Sequence, residues 1–432
     1  MHARCQRPRG RAGKLGRVRA GVLAMSLVLT VALVATGRAD TSAIEDFVAR
    51  HWRAPLAPQG PPPARFTPPE ASLAPQACGA CHPSQLADWR TSLHSRTMGP
   101  GVSGQLVEMH THAPADALGC YTCHAPLAEQ KPFVGPPRAL VKNPLYDPAL
   151  AAEGLVCAAC HVRAHERFGP PRRDGSLASA APRESLPHGG VTRTPAFRDS
   201  AFCRSCHQFE PGGLALNGKL LQNTHEEWKA SRFAREGVHC QDCHMPDRRH
   251  LWRGIHDPDM VRSGLTITVT PETPLAAGGA IAATLRVAST RVGHAFPTYV
   301  IARVILRGEL IGPAGRAIPG TRRQVVVARE VSLDLETELR DTRLAPGASA
   351  QLAYASPVAK HATRLRLSVI VEPDAFYARF FEALLRDDQG AGTAPLREAL
   401  KTVRLSPYVL FVRDVPLGAR TTKGVAAPGG GS

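Results

Sequence analysis

Aromatic residues are scarce in this sequence: Phe, Trp and Tyr together make up 5% of its 432 residues. Because large aromatic side chains supply much of the buried apolar area in most domains, a conventional hydrophobic core would be thin. Pro and Gly number 38 each, an excess that favours loops and extended segments over long helices. The length is typical of two or three domains.

The N-terminal apolar run is short. It extends from Gly21 to Thr36, sixteen residues, whereas a membrane-spanning helix needs about 20. A basic stretch precedes it and Gly37-Arg38-Ala39 follows, which is typical of a secretory signal peptide covering residues 1–39. The alternative is a retained membrane anchor. We expect cleavage after Ala39, a periplasmic or otherwise exported protein, and no stable membrane span after cleavage.

Asp and Glu (36 residues) are outnumbered by Lys and Arg (53 residues), so the formal net charge is +17. Residues 1–39 hold eight Lys and Arg and no acid, so their removal leaves +9. A basic surface can attract nucleic acid or anionic lipid. No nucleic-acid-binding motif accompanies the charge, so we expect a solvated basic face and no nucleic-acid partner.

One pattern, Cys-x-x-Cys-His, occurs five times and uses ten of the eleven cysteines. It is typical of c-type haem attachment, in which both thiols are bonded to one porphyrin edge. The next residue then places an imidazole under the iron as its proximal ligand. The attachment cysteines are Cys78 and Cys81, Cys120 and Cys123, Cys157 and Cys160, Cys203 and Cys206, and Cys240 and Cys243, and the proximal histidines are His82, His124, His161, His207 and His244.

Three other interpretations explain this pattern less well. Disulfide bonds suit an exported protein but do not require a histidine after every second cysteine. Zinc sites combine two cysteine pairs into one four-ligand cluster, so five pairs leave one over. A thioredoxin-like motif expects a single pair between a strand and a helix. The sequence therefore predicts five covalent haem c groups with their iron, whose apolar discs also replace the missing aromatic core.

The second axial ligand of each iron decides its chemistry. A second histidine gives a closed iron that only passes electrons, whereas an open position can bind a substrate. Methionine, with six residues, is the less available alternative. Five histidines have settings that favour the distal role: His94 on a helix after the first site, His188 before Gly189-Gly190, His250 and His256 after the fifth site, and His294 within Gly293–Thr298.

The remaining pattern divides the chain into regions. From Gly264 onward apolar and polar residues alternate, as in Leu265, Ile267 and Val269 against the intervening threonines, which predicts short strands and a β-sandwich-like domain without cysteine. We predict a multidomain chain: a short helix and Pro-rich linker at 40–69, a loop-rich, mainly α pentahaem cytochrome c domain at 70–262, the all-β domain at 263–373, a helical or extended C-terminal segment at 374–417, and a disordered tail at 418–432.

The chain resembles bacterial multihaem c-type cytochromes in which a haem domain is followed by a β domain. Three segments carry the resemblance: the first attachment site with Trp89 and His94, Gly237–Pro246 with His250 and His256, and Gly293–Thr298. In such proteins, histidines at these places resemble distal ligands, which adds support for His94, His250, His256 and His294. The resemblance implies redox transfer and names no donor or acceptor.

We therefore expect a periplasmic or exported cytochrome that transfers electrons between redox partner proteins through mostly bis-His haems. The chain is more typical of an electron-transfer protein than of a catalytic oxidoreductase, and no residue is assigned a catalytic role. The alternative is a reductase or oxidase that acts on a small nitrogen or sulfur species at one open haem iron. A haem-bearing assembly scaffold is a third interpretation, because exported β-sandwiches often serve docking.

Overall fold

The computed structural model describes residues 41–178, 181–271, 281–357 and 361–418. The signal peptide predicted at 1–39 lies outside these residues, as does nearly all of the predicted tail. The chain divides into two compact units, one ending at His51 and one starting at Trp52. In the first unit, residues 41–51 form helix α1. The second unit contains both the cysteine motifs and the β strands, and the domain boundaries within it stay predictions.

Short helices dominate the first part of the second unit. Seven of them begin with proline, whose fixed φ and missing N–H suit the first helical position. Much of the proline excess is therefore used to start helices. The described helices are α2 (Pro68–Ala71), α3 (Pro75–Gly79), α4 (Pro83–Thr91), α5 (Pro100–His112), α6 (Pro114–His124), α7 (Pro148–Ala152), α8 (Cys157–His161), α9 (Ala201–His207), α10 (Thr224–Lys229), α11 (Arg232–Arg235), α12 (Cys240–His244), α13 (Pro258–Gly264), α14 (Ala375–Leu384) and α15 (Thr393–Arg404).

The strands fall into small hairpins and two larger antiparallel sheets. In the described residues they are β1 (Phe133–Val134), β2 (Val141–Lys142), β3 (Val162–Arg163), β4 (Glu166–Gly169), β5 (Thr192–Arg193), β6 (Ala215–Leu216), β7 (Lys219–Leu220), β8 (Leu265–Thr270), β9 (Ile281–Ser289), β10 (Arg303–Ile311), β11 (Arg323–Val327), β12 (Arg329–Val331), β13 (Glu338–Asp341), β14 (Ser349–Ser356), β15 (Arg364–Glu372) and β16 (Tyr408–Pro416).

The two larger sheets share one hydrophobic core. One sheet has the order β14–β9–β8 and the other the order β11–β10–β15–β16. Leu285 of β9, Leu306 of β10 and Leu367 of β15 are all fully buried in the same cluster. Alternating apolar positions thus bury one face of each sheet, as the sequence pattern predicts. The chain combines helices with several β sheets, in agreement with the coarse fold prediction.

The segment predicted to be helical or extended, 374–417, contains the helices α14 and α15 and the strand β16. Strand β16 pairs antiparallel with β15. It is therefore an edge strand of the four-stranded sheet. Helix α15 also lies against α5, where a Cβ at Gly104 would be only 2.8 Å from Leu396 Cγ. This contact brings the C-terminal helices next to the helices around the second cysteine motif.

Candidate haem-binding site

Each cysteine motif lies on or beside a short helix. Helices α8 and α12 begin at the first cysteine of their motif and end at its histidine, and α6 and α9 end at theirs. In the first motif, Cys78 lies in α3 and His82 directly precedes α4. One helical turn places residues three and four apart on the same face, so the second thiol and the imidazole lie near the first thiol. All ten motif cysteines are free of disulfide bonds.

The five motifs lie close together. The thiols of Cys78 and Cys157 lie close enough to shift each other's pKa, which places the first motif beside the third. The thiols of Cys123 and Cys206 affect each other in the same way, which places the second motif beside the fourth. The pair Cys203 and Cys240 likewise places the fourth motif beside the fifth. Cofactors attached at these thiols would therefore be near neighbours.

A large cavity runs between the motifs. Its volume is about 1910 Å³, beyond the roughly 300–1,000 Å³ of ordinary small-molecule pockets. The cysteines and histidine of four motifs line it, as do Gln241 and Asp242 of the fifth, together with most of the histidines predicted as distal ligands. The lining histidines are His82, His94, His124, His161, His188, His207, His250 and His256. The space and its donor atoms therefore fit several large flat cofactors that each need imidazole ligands.

Three of the predicted distal histidines face a proximal histidine. The ring centroids of His161 and His250 are 6.2 Å apart, and those of His244 and His294 are 6.3 Å apart. His94 lies 6.4 Å from His207, the histidine of the fourth motif. His94 therefore faces a different motif from the one that it follows in sequence.

His188 lies near the first motif. Both His188 and His82 line the cavity, and burial, with a smaller contribution from His82, lowers the pKa of His188. The backbone of His188 has a φ of +44°, in the left-handed region that non-glycine residues seldom adopt. Glu70 stabilises this conformation by accepting a 2.6 Å hydrogen bond from the His188 amide. That bond is the main reason why the pKa of Glu70 falls to about 2. Strained residues of this kind tend to occur where a side chain must be held toward a ligand.

Hydrogen bonds fix the orientation of the proximal imidazoles. The Nδ1 atoms of His124, His161 and His244 lie 2.6–2.8 Å from the backbone carbonyls of Thr97, Phe168 and Arg253. A carbonyl oxygen can only accept a hydrogen bond, so Nδ1 carries the proton and Nε2 keeps its lone pair, as a metal ligand requires. His207 has a different partner, because its Nδ1 lies 2.6 Å from the Tyr299 hydroxyl.

Several buried imidazoles of the site are held neutral. Burial, together with neighbouring histidines, lowers the pKa of His94 to about 3 and that of His161 to about 4. Burial also lowers the pKa of His250 and His294. A neutral imidazole is the form that binds a metal ion, so these side chains are ready to act as ligands at neutral pH.

His256 behaves differently from the other predicted ligands. Its Nε2 lies 2.9–3.0 Å from both carboxylate oxygens of Asp374, and its buried Nδ1 has no hydrogen-bond partner in the described residues. The nitrogen most often used as a ligand therefore already has a partner. Asp374 is 118 residues away in sequence, so no local pattern around His256 could reveal this contact.

The segment Gly293–Thr298 lies between the cysteine motifs and the two larger sheets. The Ala295 amide donates a 3.1 Å hydrogen bond to Glu227 of α10, and the Thr224 and Thr298 hydroxyls are 2.6 Å apart. The hydroxyl of Tyr299 adds the contact with His207. Sequence reasoning identified His294 but missed Tyr299, because a lone tyrosine carries no spacing signal.

Comparisons with known proteins agree with this geometry. Residues 77–142 match the family described as cytochrome c554 and c-prime. The fold is similar to the crystal structure of a penta-heme cytochrome c552 from Thermochromatium tepidum, with a TM-score of 0.56 and 19% identity. The similarity covers 81% of this chain and all of that one. The resemblance to multihaem c-type cytochromes is confirmed.

At a coarse level, this resemblance supports haem c as the cofactor and electron transfer as the role. No curated protein sequence matches the chain. Within the described residues, no helix is both long and apolar enough to cross a membrane. The same residues contain no cluster of three or more His, Cys, Asp or Glu side chains that could hold a bare metal ion.

Proposed function

We propose that the protein is an exported pentahaem cytochrome c that passes electrons between redox partner proteins. Five haems would be bound covalently at the five cysteine motifs, with His82, His124, His161, His207 and His244 as proximal ligands. His94, His188, His250 and His294 would be distal ligands. The haems would supply the one-electron redox chemistry, while the protein would set their spacing, orientation and potential.

The spacing of the histidine pairs carries this proposal. A metal–imidazole bond is about 2 Å long and the ring centre lies about 1.2 Å behind the bonded nitrogen, so two imidazoles on one metal ion have centroids about 6.4 Å apart. The three observed separations are 6.2, 6.3 and 6.4 Å. Direct packing of two rings does not require this distance. The pairs therefore support bis-His ligation at the third, fourth and fifth motifs.

A second candidate function is the reduction or oxidation of a small nitrogen or sulfur species at one open iron. The second motif supports this candidate. Its His124 faces no imidazole ring in the described part of the chain, so an iron bound there would lack a histidine as its second axial ligand. His256, the remaining predicted ligand, is hydrogen-bonded through Nε2 to Asp374. Tyr377 also lies near this motif, because its phenol interacts with both Asp374 and Cys120.

Visible and EPR spectra of the purified protein, with and without carbon monoxide, test both candidates. Electron transfer predicts covalent haem, low-spin signals from most irons, and rapid reduction and reoxidation by small redox proteins. Carbon monoxide binding to about one iron in five would favour the second candidate. A protein without covalent haem, or one whose haems exchange electrons with no carrier, would contradict the proposed function. N-terminal sequencing of the protein from fractionated cells tests export, with Asp40 as the expected first residue.

A further inference from the structure

The His207 imidazole has a side-chain partner where three of its counterparts have backbone partners. Its Nδ1 lies 2.6 Å from the Tyr299 hydroxyl, whereas the corresponding atoms of His124, His161 and His244 contact backbone carbonyls. A peptide carbonyl is a stronger hydrogen-bond acceptor than a neutral phenol. Since such bonds control how much electron density an imidazole donates to its metal ion, the fourth motif should differ electronically from the other three.

Metal binding would decide which group donates in this contact. A His207 that binds iron through Nε2 would carry its proton on Nδ1. Its Nδ1–H would then donate the 2.6 Å hydrogen bond to the Tyr299 oxygen.

Tyr299 shares one connection with His294. Both lie between β9 and β10, five positions apart in sequence. His294 faces His244 of the fifth motif, and Tyr299 contacts His207 of the fourth. A displacement of this connection would therefore change the surroundings of two imidazoles from different motifs together.

Charged groups hold this connection in place. Arg343 donates hydrogen bonds to the Thr298 carbonyl at 2.8 Å and to Glu227 at 3.1 Å, and Glu227 in turn accepts from the Ala295 amide. Arg343 and Glu227 side chains are only 9% and 14% exposed. Hydrogen bonds to charged groups are stronger than neutral ones, which suits the positioning of a loop.

We propose that Tyr299 is a positioning residue that sets the reduction potential of the haem held by Cys203, Cys206 and His207. This inference rests on the proposed function, because it requires haem at the fourth motif.

The test compares Tyr299→Phe with Tyr408→Phe in the full haem-loaded protein. Tyr408 is a matched control, since its hydroxyl donates a 2.8 Å hydrogen bond to the Ile255 carbonyl and contacts no axial histidine. Spectroelectrochemical and EPR titrations would measure the midpoint potentials of all haems. Loss of the phenol leaves the Nδ1 proton without its acceptor, so the imidazole donates less to the iron and the reduced state gains stability.

We expect one of five midpoint potentials to rise in Tyr299→Phe and none to move in Tyr408→Phe. 3-Fluorotyrosine at position 299 keeps the hydroxyl and the fold while weakening the acceptor, so it should shift the same haem by a smaller amount. Unchanged potentials in both position-299 variants, or equal shifts in the Tyr408 control, would overturn the role of Tyr299 and leave the proposed function intact. Wild-type protein without reducible haem would overturn both.

Discussion

The rings of His244 and His294 face each other with centroids 6.3 Å apart and planes inclined by 15°. One ring belongs to a cysteine motif on α12 and the other to the connection between β9 and β10. If both bind one iron, a coordinate bond joins the haem-attachment region to the sheets. Replacing either imidazole would then change both the iron and this junction.

His294→Ala should convert about one haem in five to a high-spin or ligand-accessible form, because one iron loses a strong-field ligand. Haem content should stay unchanged, since the attachment cysteines are intact. EPR spectra and carbon monoxide titration would measure the effect. His112→Ala is the control, because the His112 side chain is 73% exposed. Low-spin signals from all irons in His294→Ala would mean that His294 is an ordinary loop residue.

Glu227→Gln should weaken the positioning of His294 without removing the ligand. The amide side chain keeps the size of Glu227 but loses the charge that pairs with Arg343, so the 293–298 segment becomes more mobile. We expect a partial high-spin signal that grows with temperature, smaller than that of His294→Ala. Glu226→Gln, at the adjacent position and 51% exposed, should match the wild type. Equal spectra for the two variants would exclude this positioning role.

The attachment residues can be predicted from the sequence alone, whereas the surroundings of the distal histidines depend on contacts between distant parts of the chain. Cys-x-x-Cys-His is a local pattern, so the attachment residues follow from spacing alone. His94 follows the first motif but faces His207 of the fourth, because the motifs pack out of sequence order. The contact of His256 with Asp374 depends on α14, more than a hundred residues away. Local patterns contain no information about such contacts.

The fold, too, combines features that local patterns predict with features that depend on distant contacts. Alternation predicts β8, β9, β10 and β15, whose apolar faces fill one core. Strand β16 lies in the segment predicted to be helical or extended, but its pairing with β15 is set by tertiary packing that no local pattern contains. The proline excess predicts loops and few long helices, and it does not indicate that seven prolines begin helices of 4 to 13 residues.

The denatured protein should carry five haem groups. Ten motif cysteines are free thiols grouped in five pairs, and each pair offers two thioether bonds to one porphyrin. Intact mass spectrometry after denaturation would count the groups directly. A double Cys120→Ala, Cys123→Ala variant should have one haem fewer. Equal numbers of haem groups in the wild type and this variant, after allowance for the two lost sulfur atoms, would show that the second motif carries no covalent haem.

Arg329→Met should destabilise the protein strongly. The Arg329 side chain is 1% exposed, pairs with Glu338 at 2.8 Å and donates to three carbonyls of the β6–β7 hairpin. Removal of one partner from a buried ion pair leaves the other charge uncompensated and costs about 3–5 kcal/mol. Chemical denaturation would measure the loss. Arg340→Met removes a 47%-exposed partner of Glu330 and should cost under about 1 kcal/mol. Similar losses in both variants would contradict a special role for Arg329.

Acid should lower the stability of the folded protein through Asp341. Burial alone would raise the pKa of this carboxyl, but hydrogen bonds from Arg343 and Lys219 outweigh burial and hold the pKa well below its usual 3.8. The pKa of Glu338, which also contacts Lys219, is lowered from 4.5 despite burial. A carboxylate whose pKa is lower in the folded state binds fewer protons there than in the unfolded state. Its contribution to stability is therefore complete above the ordinary pKa and is lost as the pH falls below it.

The free energy of unfolding of the wild type should thus decrease from about pH 4.5 downward, with Asp341 and Glu338 both contributing. Asp341→Asn removes one titrating group, so the difference in unfolding free energy between wild type and variant should shrink as the pH falls from about 5 to about 3. Asp387→Asn, at an exposed position, should follow the wild-type curve. Chemical denaturation at several pH values would measure all three proteins. If the difference in unfolding free energy between the wild type and Asp341→Asn stays constant over this range, the ion pairs of Asp341 do not stabilise the folded protein.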